Sequence, residues 1–204
     1  AAQEWVAAIL LPTLEQAIGE ALGTREGWSI EPDPDDGDRQ TVLFNYPASS
    51  GYGLDYGNNY GGRTGYVQPR IKLEFGARGE TEPSESKTII SYLAQEFPDE
   101  LPDATVPVGT LSVERTFWEK VTILHALHHG TKLLPEMSRH YYDTAMLAEK
   151  GIDDAAMKAP DLLARVVLNK SLMFADKKAS YDTATLGSLR LLPTEELRER
   201  LRAD

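Results

Sequence analysis

Two ionisable side chains occupy the apolar faces of two consecutive predicted helices. At about 100° per residue, Lys120 falls within an apolar arc, whereas Glu119 points away from it. The arc consists of Phe117, Val121, Leu124 and Leu127. A lysine in such a position is desolvated, paired with an anion, or extended along its stem into water. The first two states suit binding or catalysis, and the third is that of an ordinary lysine at the rim of a core.

The second helix places Asp143 among apolar neighbours in the same way. Arg139 lies one turn before Asp143, so one interpretation is a local surface ion pair worth a few tenths of a kcal/mol. The other interpretation places Asp143 in a cleft between the two helices, where it faces Lys120.

A third acidic candidate lies on a predicted strand. Over residues 68–78 apolar and polar side chains alternate, so Glu74 stands opposite the core face and beside Lys72. Glu74 is either a solvent-facing glutamate or the acid of a site. The candidate basic side chains around such a site are Arg70, Lys72, Arg78, Arg115, Lys120, Lys132 and Arg139. The alternative for these is the usual scatter of solubilising charge.

The elements that position these groups indicate an α+β fold. The predicted elements before the two helices are an amphipathic helix over 3–22, strands over 41–47 and 68–78, and a short helix over 88–97. A proline-punctuated link at 98–110 then separates a strand-containing part, 1–97, from a helical C-terminal domain, 111–204. We therefore expect a small mixed or antiparallel sheet portion followed by a helical domain.

Composition excludes several classes of protein. The chain has 204 residues, no cysteine and a formal net charge of −11. Disulfides and thiol chemistry are excluded, and a broad cationic surface for nucleic acid is disfavoured. No apolar run approaches the roughly 18 residues of a membrane span, which favours a cytoplasmic protein without membrane contact.

Two further features carry alternative functions. His125 and His129 lie one turn apart, as zinc ligands often do, but no third ligand is evident. The glycine-rich stretch 48–66 carries tyrosines that either stack on unpaired bases or belong to a disordered loop.

Lys170, Lys177 and Lys178 form a modest basic cluster after a helix that follows Pro160.

Several strings together resemble one family. ERTFWEK and SRHYYD, with VQPRIKLEFGARGETEP before them and DLLARVVLNK and YDTATLGSLRLLP after them, resemble the abortive-infection (AbiEii- or AbiGii-type) nucleotidyltransferase toxins. The resemblance implies a toxin of a toxin–antitoxin or phage-defence pair. Its implied partners are NTP, an RNA (tRNA-like) or related acceptor, and a cognate antitoxin.

The resemblance also implies roles for particular residues. Glu74, Lys120 and Asp143 match catalytic positions, and Glu74 is also the implied ligand of Mg²⁺. The basic side chains implied to bind substrate are Lys72, Arg78, Arg115 and Arg139. The family's GG or GS motif followed by D-x-D is not found, so we expect the latter portion of such a protein, with weak or absent Mg²⁺ binding.

Two functions therefore compete with nucleotide transfer. One is a non-enzymatic module that binds an antitoxin or another protein partner. The other is a hydrolase or metal protein built on the histidines.

Overall fold

The computed structural model confirms the predicted α+β class and divides the chain into two compact units, residues 1–78 and 79–204. The structure describes residues 2–24, 26–46, 69–102, 105–130 and 133–202. The tyrosine-rich stretch 48–66 and Lys132 lie outside these ranges.

The first unit begins with one continuous helical segment. It comprises α1 (Ala2–Trp5), a π-helical stretch (Val6–Leu10) and α2 (Leu11–Leu22). The π-helical stretch passes into α2 where Leu11 N–H donates to Val6 O. Pro12 then lies in the first turn of α2, where its missing N–H removes no helical bond. The predicted helix over 3–22 is confirmed, with Pro12 near the start of a new segment.

A three-stranded antiparallel sheet follows in the order β1 (Ser29–Pro32), β2 (Thr41–Asn45) and β3 (Arg70–Glu74). Val42 of β2 is fully buried and pairs with Leu73 of β3. The sequence predicted β2 and β3 but not β1. Between β1 and β2, the backbone N–H of Gln40 donates to the carboxylate of Asp36 and stabilises this acidic turn. The same bond is the main reason that the pKa of Asp36 is lowered to about 2.

The second unit opens with a hairpin that the sequence did not predict. β4 (Ser84–Ile90) pairs antiparallel with β5 (Thr105–Leu111), and α3 (Tyr92–Glu96) lies between them. The predicted helix over 88–97 is therefore shorter, because residues 88–90 belong to β4. The compact units divide between Arg78 and Gly79 rather than at the predicted link 98–110, because β5 pairs along its whole length with β4.

Helices make up the rest of the second unit. They are α4 (Val113–His128), α5 (Ser138–Glu149), α6 (Ile152–Met157), α7 (Pro160–Met173), a 3-10 turn (Tyr181–Thr183) and α8 (Glu195–Leu201). The core lies around α4, which contributes Phe117, Trp118 and Val121. These pack against α6 and α7, and a second apolar cluster joins Leu124 and Leu127 of α4 to α8.

Arg115, predicted to bind substrate, is instead fully buried on α4. Its Nη1 donates to Glu80 at 2.7 Å and to the carbonyl of Glu82 at 2.7 Å, and its Nε donates to Glu119 at 3.2 Å. Glu80 also accepts from Arg165 of α7 at 2.5 Å. These contacts hold the segment before β4 against two helices. Arg115 therefore has a structural role and no exposed surface for a ligand.

His125 holds the segment after α7 in a similar way. Its Nδ1 accepts the backbone N–H of Arg190 at 3.1 Å, which requires the proton of the neutral ring to be on Nε2. Nε2 then donates to the carbonyl of Ser180 at 3.1 Å. Both ring nitrogens are occupied, so the buried ring is a structural histidine.

Arg115→Ala is expected to reduce the free energy of unfolding by roughly 3–5 kcal/mol, because it removes a buried cation and leaves its carboxylate partners without it. Arg198→Ala is the control, since Arg198 forms an exposed pair with Glu195 and should cost at most about 1 kcal/mol. Urea denaturation followed by circular dichroism measures both. Equal stability of the two variants would contradict the structural role of Arg115.

Candidate functional site

The structure brings Lys120 and Asp143 together, as the sequence predicted. Lys120 Nζ lies 2.6 Å from Asp143 Oδ2, and the bond joins α4 to α5. The two side chains are 23% and 37% exposed, so the pair is accessible to a ligand while part of it is shielded from water. This geometry matches the interpretation in which Asp143 faces Lys120, and not the local pair with Arg139.

The hydrogen bond between the two side chains keeps Asp143 ionised. The hydrogen bond from Lys120 lowers the pKa of Asp143 below its ordinary value, and burial opposes this only in part. Asp143 is therefore a carboxylate at neutral pH. A carboxylate with a lowered pKa accepts protons poorly and is therefore a weak general base.

His140 lies one turn before Asp143 on α5 and is buried. Burial lowers its pKa most, and the positive charges of Lys120 and Arg139 lower it further. The Nδ1 atom is buried and has no hydrogen-bond partner in the described part of the chain. The ring is therefore neutral at physiological pH, beside an ion pair.

Lys170 of α7 belongs to the same charged neighbourhood, a relation that the sequence did not reveal. Burial lowers its pKa, Glu119 opposes this, and Arg115 and Lys120 add to it. Its ammonium lies 4.9 Å from the ring centroid of Phe174. Lys170 therefore differs from Lys177 and Lys178, which are exposed and with which the sequence grouped it.

A signal for Lys170 was present in the sequence. Lys170 follows Leu163 by seven residues and Val166 by four, so it shares their helical face. Both are buried in the core. This is the pattern that singled out Lys120, and it applies equally to α7.

Arg139, another predicted substrate ligand, does not pair with Asp143. Its Nη1 lies 2.8 Å from Glu136, and its side chain is 58% exposed. Of the two interpretations of Asp143, the contact with Lys120 is the one that the structure contains. Arg139 keeps an accessible guanidinium close to the pair, and its role in substrate binding stays a prediction.

The remaining predicted residues lie in or at the end of the first unit. Lys72 Nζ lies 3.2 Å from Glu74 and 3.5 Å from Asp33, and the bond with Glu74 is the main reason that its pKa is raised. Arg78 lies 3.8 Å from Asp38. The prediction that Glu74, Lys72 and Arg78 act with Lys120 stays a prediction.

The described residues assemble no cluster of protein ligands for a metal ion. Within them, no three His, Asp or Glu side chains lie close enough to hold one together. The carboxylates of Glu74 and Asp143 each engage a lysine, so a Mg²⁺ ion at either would draw most of its oxygen ligands from water and nucleotide phosphates. The histidine alternative also lacks a site in this part of the chain, since both nitrogens of His125 are occupied.

Fold and site together define an α+β protein whose second unit presents a lysine–aspartate pair between two helices. The family model described as "Nucleotidyl transferase AbiEii toxin, Type IV TA system" matches residues 2–204. The chain therefore belongs to the AbiEii nucleotidyltransferase toxin family. Searches of curated proteins and of solved structures found no match. In the described ranges, every helix is too short or too polar to cross a membrane.

A double-mutant cycle with Lys120→Met and Asp143→Asn is expected to give a coupling of about 0.5–1 kcal/mol at neutral pH and low salt. The coupling should disappear as the pH falls below 3.8 and through the lowered pKa of Asp143, because protonation removes the charge. Urea denaturation of the four proteins measures it. The exposed pair of Arg202 and Glu199 is the reference and should couple more weakly. A coupling of zero for Lys120 and Asp143 would contradict the observed bond.

His140→Phe is expected to flatten the loss of stability on acidification. Because the pKa of folded His140 is lowered, the unfolded chain binds more protons than the folded chain below about pH 6.5. The free energy of unfolding therefore decreases as the pH is lowered, by up to about 1.4 kcal/mol per pH unit. Thermal or urea unfolding between pH 7.5 and 5 measures the slope. His128→Gln removes a histidine outside this neighbourhood and is the control. An unchanged slope in His140→Phe would contradict a neutral buried ring.

Proposed function

We propose that this chain is part of a nucleotidyltransferase toxin that transfers nucleotides from NTP to an RNA (tRNA-like) or related acceptor. Membership of the AbiEii family supports the reaction class. The 2.6 Å bond between Lys120 and Asp143 is the observation that supports the site, since it places a partly exposed cation where two helices meet. The proposed partners are NTP, the acceptor and a cognate antitoxin, and the proposed location is the cytoplasm.

The reaction requires charge stabilisation more than covalent help. A hydroxyl oxygen of the acceptor attacks the α-phosphorus of the nucleotide, a new P–O bond forms, and the bond to the pyrophosphate oxygen breaks. The leaving pyrophosphate takes the electron pair, the proton of the attacking hydroxyl passes to solvent, and the negative charge on the pyrophosphate grows in the transition state. Lys120, at the accessible junction of α4 and α5, is proposed to stabilise that charge.

Asp143 is proposed to position Lys120 rather than to remove the proton of the acceptor. The bond at 2.6 Å fixes the direction of the ammonium before a ligand arrives. The lowered pKa of Asp143 makes its carboxylate a weak base at neutral pH, which disfavours proton abstraction. Loss of Asp143 should therefore free Lys120 from its orientation without removing the cation itself.

Other residues enter the proposal through the family resemblance. Glu74 is proposed as a further acid and Mg²⁺ ligand, and Lys72, Arg78 and Arg139 are proposed to bind substrate. The described residues do not assemble a magnesium site, so no step above depends on Mg²⁺. Arg115 is buried and shared among carboxylates, so we assign it to stability and not to substrate contact.

Lys120→Met is expected to lower the kcat/KM of nucleotide transfer by about a hundredfold or more, as loss of a preorganised electrostatic group does. Asp143→Asn should lower it as well, by less, since Lys120 keeps its charge. Incorporation of labelled nucleotide into RNA by the intact protein that contains this chain measures both. Asp154→Asn is the control, because Asp154 is exposed on α6.

Wild-type incorporation by both site variants would remove the proposed roles of the pair. Incorporation that fails in the wild-type intact protein as well would argue against the transferase function itself. Circular dichroism of each variant separates a lost function from a lost fold.

A partner-binding module is the second candidate function. The β4–β5 hairpin exposes apolar side chains, among them Ile89 at 51% and Val106 at 58%. Exposed apolar surface of this kind is typical of protein contacts, and a cognate antitoxin is the proposed partner. Unchanged transfer in the Lys120 and Asp143 variants, together with antitoxin binding that depends on Ile89 and Val106, would favour this function.

A further inference from the structure

Four cations of α4 and α7 share three carboxylates in the second unit. The cations are Arg115, Lys120, Arg165 and Lys170, and the carboxylates are Glu80, Glu119 and Asp143. Arg115 pairs with Glu80 and Glu119, Lys120 pairs with Asp143, and Arg165 pairs with Glu80. Among the described residues, Lys170 forms no ion pair. The charge of Glu119 raises the pKa of Lys170 without forming one. One positive charge in this cluster is therefore left without an anion.

A shielded ammonium without an anion is costly, because it loses its hydrating water and no ion pair compensates for the loss. The ring of Phe174, 4.9 Å away, offsets part of this cost through a cation–π contact. Lys170 also shares the helical face of Leu163 and Val166, so α7 directs its stem toward α4 and not toward solvent. An anionic ligand would supply the charge that the protein does not.

We propose that Lys170 binds phosphate oxygens of the incoming nucleotide's triphosphate, together with Lys120. This inference rests on the proposed function and names the anion that the site recognises. Two lysines from two helices suit a triphosphate, because each ammonium acts as a point charge with three donors and imposes no planar geometry. Lys120 is already neutralised by Asp143, so Lys170 contributes the net positive charge that attracts the ligand.

Binding of inorganic tripolyphosphate to the intact protein tests this without any need for transfer activity. Isothermal titration calorimetry compares wild type with Lys170→Met, which removes the charge and keeps the apolar stem. The dissociation constant is expected to rise by roughly ten- to a hundredfold, the effect of one lost hydrogen bond to a charged group. Lys170→Arg should retain most of the affinity, since it restores a cation. Lys178→Met is the matched control, with an exposed lysine near the end of the same helix.

Wild-type protein gives a second test that needs no variant. Acylation of lysines by an amine-reactive reagent, mapped by mass spectrometry with and without tripolyphosphate, should show protection at Lys170 and Lys120. Lys177 and Lys178 should be acylated equally in both samples, because both are exposed.

Three results would overturn the inference. They are wild-type affinity in Lys170→Met, absence of tripolyphosphate binding by the wild-type protein, and a Lys170→Met defect seen with a short RNA but not with tripolyphosphate. The last result would assign Lys170 to the acceptor's phosphodiester backbone. If tripolyphosphate binding depends on Lys170 while the wild-type protein transfers no nucleotide, the inference stands and the proposed function fails.

Discussion

The second unit depends on one constraint, that charged and histidine side chains carried into the interior by a helix must find partners there. Helix α4 is buried along most of its length and still contains Arg115, Lys120 and His125. Each of these reaches a different segment: the residues before β4, helix α5, and the stretch from Ser180 to Arg190. Burial without these bonds would cost several kcal/mol per charged group, so the bonds determine where the neighbouring segments lie.

We propose the functional site at the junction of α4, α5 and α7, where the charged side chains are least completely paired. Arg115 and His125 are fully buried and hydrogen-bonded to neighbouring segments, which suits them to stability, although Nη2 of Arg115 has no partner among the described residues. Lys120 and Asp143 are paired but partly exposed, and Lys170 is shielded without an anion. A chain with a formal net charge of −11 can hold an anionic substrate only where cations are gathered locally. The junction of α4, α5 and α7 gathers them.

Periodicity predicted the elements in which a repeating apolar face was present. The helix over 3–22 and strands β2 and β3 follow directly from their spacing of apolar residues. The β4–β5 hairpin was missed because its residues are exposed on both faces, which leaves no alternation, and because Pro107 reads as a break. Pro107 is tolerated in β5 because a two-stranded sheet consists of edge strands alone.

The sequence by itself determined the family, the α+β class, and the presence of Lys120 and Asp143 on apolar helix faces. It did so because periodicity and motif strings are local properties of the chain. Only the tertiary structure decided which partner each charge takes. Asp143 meets Lys120, 23 residues away, and not Arg139 one turn away, while Arg139 turns to Glu136. Arg115 reaches Glu80 across 35 residues and is removed from solvent. Such choices depend on distances through space between helices, and on competition among several carboxylates for each cation, which no spacing along the chain encodes.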